Sequence, residues 1–177
     1  MKQEKRVTIV GAGLAGSEAA WQLLRRDIPI SLHEMRPTVM TKAHKTKMFA
    51  ELVCSNSFRG ADLTNAVGLL KEELRRLGSL VMDAARVAQV PAGGALAVDR
   101  QVFSQYIDTL LRSHPLVNFV EGEVSEIPTA TPDAPVIIAT GPLTSKALAQ
   151  KIESFIGQGQ LSFFDAISPI MLHESLD

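Results

Sequence analysis

Three glycines near the start of the chain have the spacing of a dinucleotide-binding turn. They follow the short apolar run Val7 to Val10 and precede a segment with helical spacing of apolar residues. In such a turn the glycines permit a sharp bend, close approach of a pyrophosphate and tight packing of the helix on the sheet. The helix N-terminus also attracts phosphate through its N–H groups and partial positive charge. The predicted phosphate site comprises Gly11, Ala12, Gly13, Leu14, Ala15 and Gly16.

An acidic residue follows this turn at the distance expected for a ribose contact. Glu34 ends a second apolar segment, where a carboxylate can accept hydrogen bonds from ribose hydroxyls. We include its neighbours Met35 and Arg36 in the predicted cofactor site. Arg36 has three possible roles, which are to meet a 2′-phosphate, to flank an adenine or to lie in solvent. The alternative for the whole pattern is a glycine turn with a purely structural role.

A second segment close to the cofactor is predicted after the apolar run Pro135 to Ile138. The run stops at Ala139, Thr140 and Gly141. This ending resembles the second nucleotide-proximal segment of flavoproteins with two dinucleotide-binding domains, and it favours FAD over NAD. A buried strand that ends in an ordinary glycine turn is the alternative.

Cys54 is the one thiol of the chain. Its residue type alone favours a buried, inert side chain. The polar residues Ser55 to Ser57 favour a turn or a helix start, and a thiol near a helix N-terminus has a lowered pKa and a more reactive thiolate. Both interpretations stay open at this point.

The segment from Met35 to Met48 is predicted to be a basic loop. Lys42, Lys45 and Lys47 could contact phosphates, or they could simply be solvated. His44 could assist acid–base chemistry or have no role. The histidines lack the spacing of metal ligands, so no metal site is predicted.

These residues must be positioned by an α/β domain. The first 34 residues predict a βαβ unit, with strands over 7–10 and 28–34 and a helix over 14–26. Asp99 is predicted to cap a helix that buries Val102, Phe103, Ile107, Leu110 and Leu111. The remaining predicted elements are a helix over 63–88 interrupted at Gly78, a turn over 91–94, a strand over 95–98, a strand or hairpin over 117–127, a helix over 143–156, and an extended segment over the last twenty residues.

Composition restricts the class of protein. The chain has 177 residues, of which 46% are hydrophobic and 21% charged, so we expect one folded domain over 1–177. No apolar run is long enough to cross a membrane or to form a signal peptide, and a single cysteine fits a reducing compartment. We therefore expect a cytoplasmic protein. The first fifty residues carry nine Lys and Arg against four Asp and Glu, which fits either an anionic partner or a solvated face.

Several longer strings identify a family resemblance. GAGLAGSEAAW, HEMRP, FAELVCSNS, NAVGLLKEE, VPAGGALAVDR, IIATGPLTS and FFDAISPI resemble the folate- and FAD-dependent tRNA (uracil-5-)-methyltransferases, the TrmFO family. The resemblance extends from the first predicted strand to the last residue. FAELVCSNS and VPAGGALAVDR are specific, because flavoproteins in general do not share them.

The resemblance implies a Rossmann-like FAD-binding domain and a specific reaction. Members transfer a one-carbon unit from methylenetetrahydrofolate to carbon 5 of the T-loop uridine of tRNA, with electrons from FAD that NADH or NADPH replenishes. The family cysteine that matches Cys54 lies beside the flavin and is implicated in catalysis. Since family members are longer, we expect this chain to be an N-terminal portion that leads into an insertion domain, and we expect it to be inactive alone. Another FAD-dependent tRNA-modifying enzyme or oxidoreductase, or a noncatalytic FAD-binding fragment, is the alternative.

Overall fold

The main sheet of the protein is parallel, as the βαβ pattern predicts. The structure is a computed structural model that describes residues 6–157. Four strands form this sheet, namely β1 (Val7–Val10), β2 (Ile30–Glu34), β6 (Val117–Glu121) and β7 (Val136–Ile138). Their order is β6-β2-β1-β7, and every neighbouring pair is parallel. Helix α1 (Leu14–Leu24) connects β1 to β2. The predicted α/β fold class is therefore confirmed.

A smaller antiparallel sheet lies beyond the segment that contains Cys54. Its strands are β3 (Ser57–Gly60), β4 (Gln89–Val90) and β5 (Ala95–Val98), in the order β3-β5-β4. The predicted turn over 91–94 joins β4 to β5. No helix begins at Ser55 to Ser57, so the predicted helix start was wrong, whereas Ser57 N donates to Ser55 Oγ at 3.0 Å in a local turn. The backbone of Asn56 instead accepts a hydrogen bond from Val98 N at 2.9 Å, which draws this segment into the sheet.

Within the described residues, four further α-helices follow α1. They are α2 (Ala66–Arg76), α3 (Leu80–Val87), α4 (Arg100–Ser113) and α5 (Lys146–Ile156). The predicted interruption at Gly78 is confirmed, because Gly78 has a φ of +70° between α2 and α3. The predicted Asp99 cap is also confirmed, since its side chain accepts from Gln101 N and Val102 N.

One hydrophobic cluster joins the two sheets with α1, α3 and α4, and Leu74 of α2 packs against it. From α4 it takes Phe103, Ile107 and Leu111, which are fully buried. Val102, predicted to lie on the same face, is 44% exposed because it projects from a different side of the helix. The cluster also contains Ile9, Leu24, Ile30, Leu32, Leu80 and Val98.

The later part of the chain forms one strand where the sequence allowed a strand or a hairpin. The segment 117–127 contributes the single strand β6, which pairs with β2, and not a hairpin. The extended segment predicted for the last twenty residues lies outside the described residues, and the division into one domain stays a prediction. Within residues 6–157, no helix is both long and apolar enough to cross a membrane.

Candidate functional site: the cleft at the strand ends

Two glycines of the turn are required by close packing. Gly11 has a φ of +98°, and a Cβ atom there would lie 2.7 Å from the carbonyl oxygen of Ala139. A Cβ atom at Gly16 would collide with the carbonyl oxygen of Gly11. Without side chains at these two positions, the first turn of α1 lies directly against the ends of β1 and β7. A side chain at either position would force backbone atoms apart.

Gly13 differs from these two glycines. It is the N-cap residue of α1, with extended backbone angles, and apart from Gly13 and its two chain neighbours no heavy atom of the described residues lies within 4 Å of the position that its Cβ would occupy. Leu14 and Ala15 follow it as exposed residues of the first helical turn. No side chain of the described residues caps this helix. The turn therefore leaves open space beside a helix N-terminus, which is the geometry that favours an anion.

Glu34 is buried at the end of β2 and has three hydrogen-bond donors. Its Oε2 accepts from Ala12 N at 3.0 Å, and its Oε1 accepts from the backbone N and the Nε of Arg36 at 3.1 and 2.9 Å. Burial by itself would raise the pKa of Glu34, but the hydrogen bonds and positive charge of Arg36, with the Ala12 hydrogen bond, hold it below its ordinary value. A carboxylate has about four acceptor positions, and donors of the described residues occupy three of those of Glu34.

Arg36 is buried between two carboxylates. It is 2% exposed, and its guanidinium donates to Glu34 at 2.9 Å and to Glu51 at 3.1 Å. The possibility that Arg36 is solvated is thereby wrong, because both carboxylates draw its side chain inward. Its Nε donates to Glu34, and its Nη1 donates to Glu51 and to the carbonyl oxygen of Thr46. The 2′-phosphate and adenine interpretations both stay predictions.

A cleft opens where all four parallel strands end. Its walls come from the carboxyl ends of β1, β2, β6 and β7, which is where open α/β sheets bind ligands. Seven of the predicted cofactor residues line it, namely Gly11, Gly13, Glu34, Met35, Arg36, Ala139 and Thr140. The other five do not: Ala12, Leu14, Ala15, Gly16 and Gly141 lie outside this lining.

Those five residues have different surroundings. Ala12 is fully buried behind the cleft and donates its N–H to Glu34. Gly16 is buried against Gly11, whereas Leu14 and Ala15 are exposed. Gly141 is exposed and begins a short 3-10 turn (Gly141–Leu143). The glycine spacing thus predicted the turn, but it did not separate residues that face the cleft from those that support it.

Sequence reasoning missed several lining residues. Gly122, Glu123 and Val124 follow β6, and Thr144, Ser145 and Leu148 come from the start of α5. Thr140 Oγ1 and Thr144 Oγ1 lie 2.6 Å apart and tie the end of β7 to this segment. The Gly122-Glu123 pair directly after β6 could have indicated this wall, once β6 was recognised as a parallel strand next to β2.

His33 and His44 also line the cleft. Burial lowers the pKa of His33. Burial and the charge of Arg36 lower the pKa of His44, and they outweigh the opposite effect of Glu51 and Glu34. His44 belongs to the predicted basic loop, and its Nδ1 lies 2.7 Å from Thr41 Oγ1. Neutral imidazoles in this wall can hydrogen-bond a ligand without adding charge.

Cys54 is exposed and does not belong to the cleft lining. The interpretation as a buried, inert side chain is therefore wrong. The carbonyl oxygen of Cys54 accepts a hydrogen bond from Arg100 Nη2 at 3.2 Å, which ties the cysteine segment to the start of α4. The thiol is accessible from solvent, and its catalytic role stays a prediction.

Comparison with known proteins shows close relatives of greater length. The methylenetetrahydrofolate--tRNA-(uracil-5-)-methyltransferase TrmFO of Heliobacterium modesticaldum is 60% identical over 171 residues, which are 97% of this chain and 38% of that protein. A protein of the same name from Thermus thermophilus is 58% identical over 173 residues, 98% of this chain and 38% of its own length. The chain thus spans about 38% of the length of these relatives.

A solved structure shares the fold. Aquifex aeolicus GidA has a TM-score of 0.61 at 15% identity, over 78% of this chain and 25% of that one. The family described as glucose inhibited division protein A matches residues 6–177. With the parallel sheet and glycine turn in place, that match places the chain in the glucose inhibited division protein A family.

Proposed function

We propose that this chain forms part of an FAD-dependent enzyme that makes 5-methyluridine in the T-loop of tRNA with methylenetetrahydrofolate as carbon donor. The observation that carries the proposal is identity of 55 to 60% to relatives bearing the corresponding name, over 97 to 98% of the chain. Such identity exceeds what a shared dinucleotide fold produces. NADH or NADPH is the proposed source of electrons.

The cleft supports FAD as the cofactor. The open space at Gly13 and the N-terminus of α1 fit a pyrophosphate. The remaining acceptor position of Glu34 fits a ribose hydroxyl, and Met35 and Arg36 are proposed to flank the adenosine. Ala139, Thr140 and Gly141 are proposed to follow the cofactor along the end of β7. When bound, FAD supplies the reducing equivalents that convert a methylene group into a methyl group.

Cys54 is the proposed catalytic residue. Carbon 5 of uracil is a poor nucleophile until a thiolate adds to carbon 6, and the one-carbon unit must be held as an electrophile before transfer. The exposed thiol of Cys54 supplies one of these two functions. It is the chain's single cysteine, so the thiols of this chain can supply only one of the two functions.

The proposed partners are tRNA and folate. Lys42, Lys45 and Lys47 are exposed on the loop beside the cleft, where ammonium groups can meet phosphates. The proposed compartment is the reducing cytoplasm, which suits an exposed catalytic thiol.

Two preparations test this proposal. The chain itself is purified and titrated with FAD, with flavin fluorescence as the measurement. In parallel, residues of this chain replace the matched 173-residue segment of the Thermus thermophilus relative. The chimera is supplied with tRNA, methylenetetrahydrofolate and NADH or NADPH, and 5-methyluridine is measured by mass spectrometry.

We expect the chimera to form 5-methyluridine only when methylenetetrahydrofolate is present. A chimera that binds FAD and oxidises NADH but leaves the tRNA unmethylated would support another flavin oxidoreductase. Saturable FAD binding without NADH oxidation would support a noncatalytic flavin-binding segment. Either result would contradict the proposed reaction.

A further inference from the structure

Glu51 lies between the cleft and the exposed cysteine, three residues before Cys54. We infer that Glu51 is a positioning residue that couples the cofactor edge at Glu34 to the cysteine segment, residues 49–54, through the side chain of Arg36. The inference rests on the proposed function, because a link between the cofactor and Cys54 matters only if both take part in one reaction. It concerns a residue that the glycine and cysteine motifs did not single out.

Glu51 is the centre of a cluster of donors. Its Oε1 accepts from Lys45 N at 2.9 Å, and its Oε2 accepts from Thr46 N and Thr46 Oγ1 at 3.1 and 2.9 Å. The Nη1 of Arg36 donates to the same Oε2 at 3.1 Å. The side chain of Glu51 is 13% exposed, so these bonds are partly shielded from water. One carboxylate therefore holds together the two ends of the basic loop, Arg36 near its start and Lys45 and Thr46 near its end.

The cysteine segment is also fixed at its beginning. Ala50 N donates to the carbonyl oxygen of Ala12 at 2.9 Å, and Phe49 N donates to Asp108 Oδ1 at 3.1 Å. Ala50 is fully buried and has a φ of +50°, a conformation that a residue with a side chain rarely adopts. The backbone of the segment is thus held against both the glycine turn and α4.

Arg36 joins these two regions directly. Its guanidinium lies 2.9 Å from Glu34 and 3.1 Å from Glu51, and its exposure of 2% leaves little freedom to move. A ligand that fixes Glu34 therefore also restrains Arg36, Glu51 and the segment that leads to Cys54. Coupling of this kind is reciprocal, so loosening the segment must weaken binding at Glu34 by the same factor.

The experiment uses ADP as the probe, because ADP contains the adenosine and two phosphates but no flavin ring. Amide hydrogen exchange is measured over residues 49–54, none of which line the cleft, so any protection there is transmitted and not direct. The variants are Glu51→Gln and, should that variant unfold, Arg36→Lys, which keeps the charge but loses the planar fork. Glu72→Gln is the matched control, since Glu72 also accepts from two arginines but lies on α2.

We expect ADP to slow exchange of the segment by about fivefold or more in the unmodified chain and in Glu72→Gln, within the usual range of coupling. In Glu51→Gln or Arg36→Lys the slowing should fall below about twofold when ADP is saturating. A variant that binds ADP and retains full protection would overturn the inference, as would an unmodified chain without protection. A chimera that makes no 5-methyluridine while this coupling persists would refute the proposed function alone.

Discussion

Substitutions at two glycines of one turn should separate its packing role from its binding role. Gly16→Ala places a methyl group on the carbonyl oxygen of Gly11, inside the contact between α1 and the sheet. Gly13→Val places its side chain where no atom lies within 4 Å, directly beside the N-terminus of α1. We expect the first variant to lose stability and the second to lose cofactor.

The magnitudes follow from these surroundings. Overpacking at Gly16 should cost about 1–3 kcal/mol of unfolding free energy. For a chain of this size, that cost lowers the Tm by about 2–12 °C. A substitution at Gly13 removes only the preference of glycine for the N-cap position, so the free energy of unfolding should fall by about 1 kcal/mol or less. Exclusion of a phosphate that is hydrogen-bonded to the helix removes about 1.5–3 kcal/mol per bond, so the Kd for FAD should rise by about ten- to a hundredfold.

Two assays measure these effects. Thermal unfolding followed by circular dichroism gives the Tm without FAD, and titration of flavin fluorescence gives the Kd. Gly13→Ala is the matched control, because a methyl group there meets no protein atom and occupies less of the open space than valine does.

Two results would refute this reasoning. A Gly13→Val variant with an unmodified Kd for FAD would show that the phosphates do not approach this helix. A Gly16→Ala variant with an unchanged Tm would show that α1 does not need its close contact with Gly11.

Three further predictions concern the cap, the thiol and the carboxylates. Asp99→Ala should lower the free energy of unfolding, measured in urea, by about 1 kcal/mol, because two N–H groups of α4 lose their acceptor. Glu73→Ala is the control, since it removes an exposed carboxylate from a helix without removing a cap. Cys54→Ala should leave the free energy of unfolding within about 0.5 kcal/mol, since the thiol is exposed, but should abolish methylation by the chimera; retained methylation would contradict its catalytic role. The pKa values of Glu34 and Glu51 lie below the ordinary 4.5, so the folded state binds fewer protons, and their contribution to stability is present above that pH and lost as the pH falls through the folded values. Urea midpoints measured during acidification should therefore fall below pH 4.5, less steeply in Glu51→Gln, and equal slopes would contradict the assignment.

Local sequence signals were sufficient for the elements that begin the fold. Short apolar runs, helical spacing and the glycine turn were sufficient to predict β1, α1 and β2, because each depends on neighbours close in the chain. The Asp99 cap was predictable for the same reason. The segment 117–127 was ambiguous, since only pairing with β2 distinguishes a parallel strand from half of a hairpin.

The candidate site shows the same division. The sequence by itself determined that Gly11, Gly13 and Glu34 belong to one nucleotide-binding pattern, since their spacing reflects a local turn and strand. Tertiary structure alone decided that Gly122 and Thr144 share the cleft and that Arg36 bridges Glu34 and Glu51. These contacts join residues that are distant in the chain or that lie in an irregular loop, and no periodic pattern encodes which distant partners such residues meet.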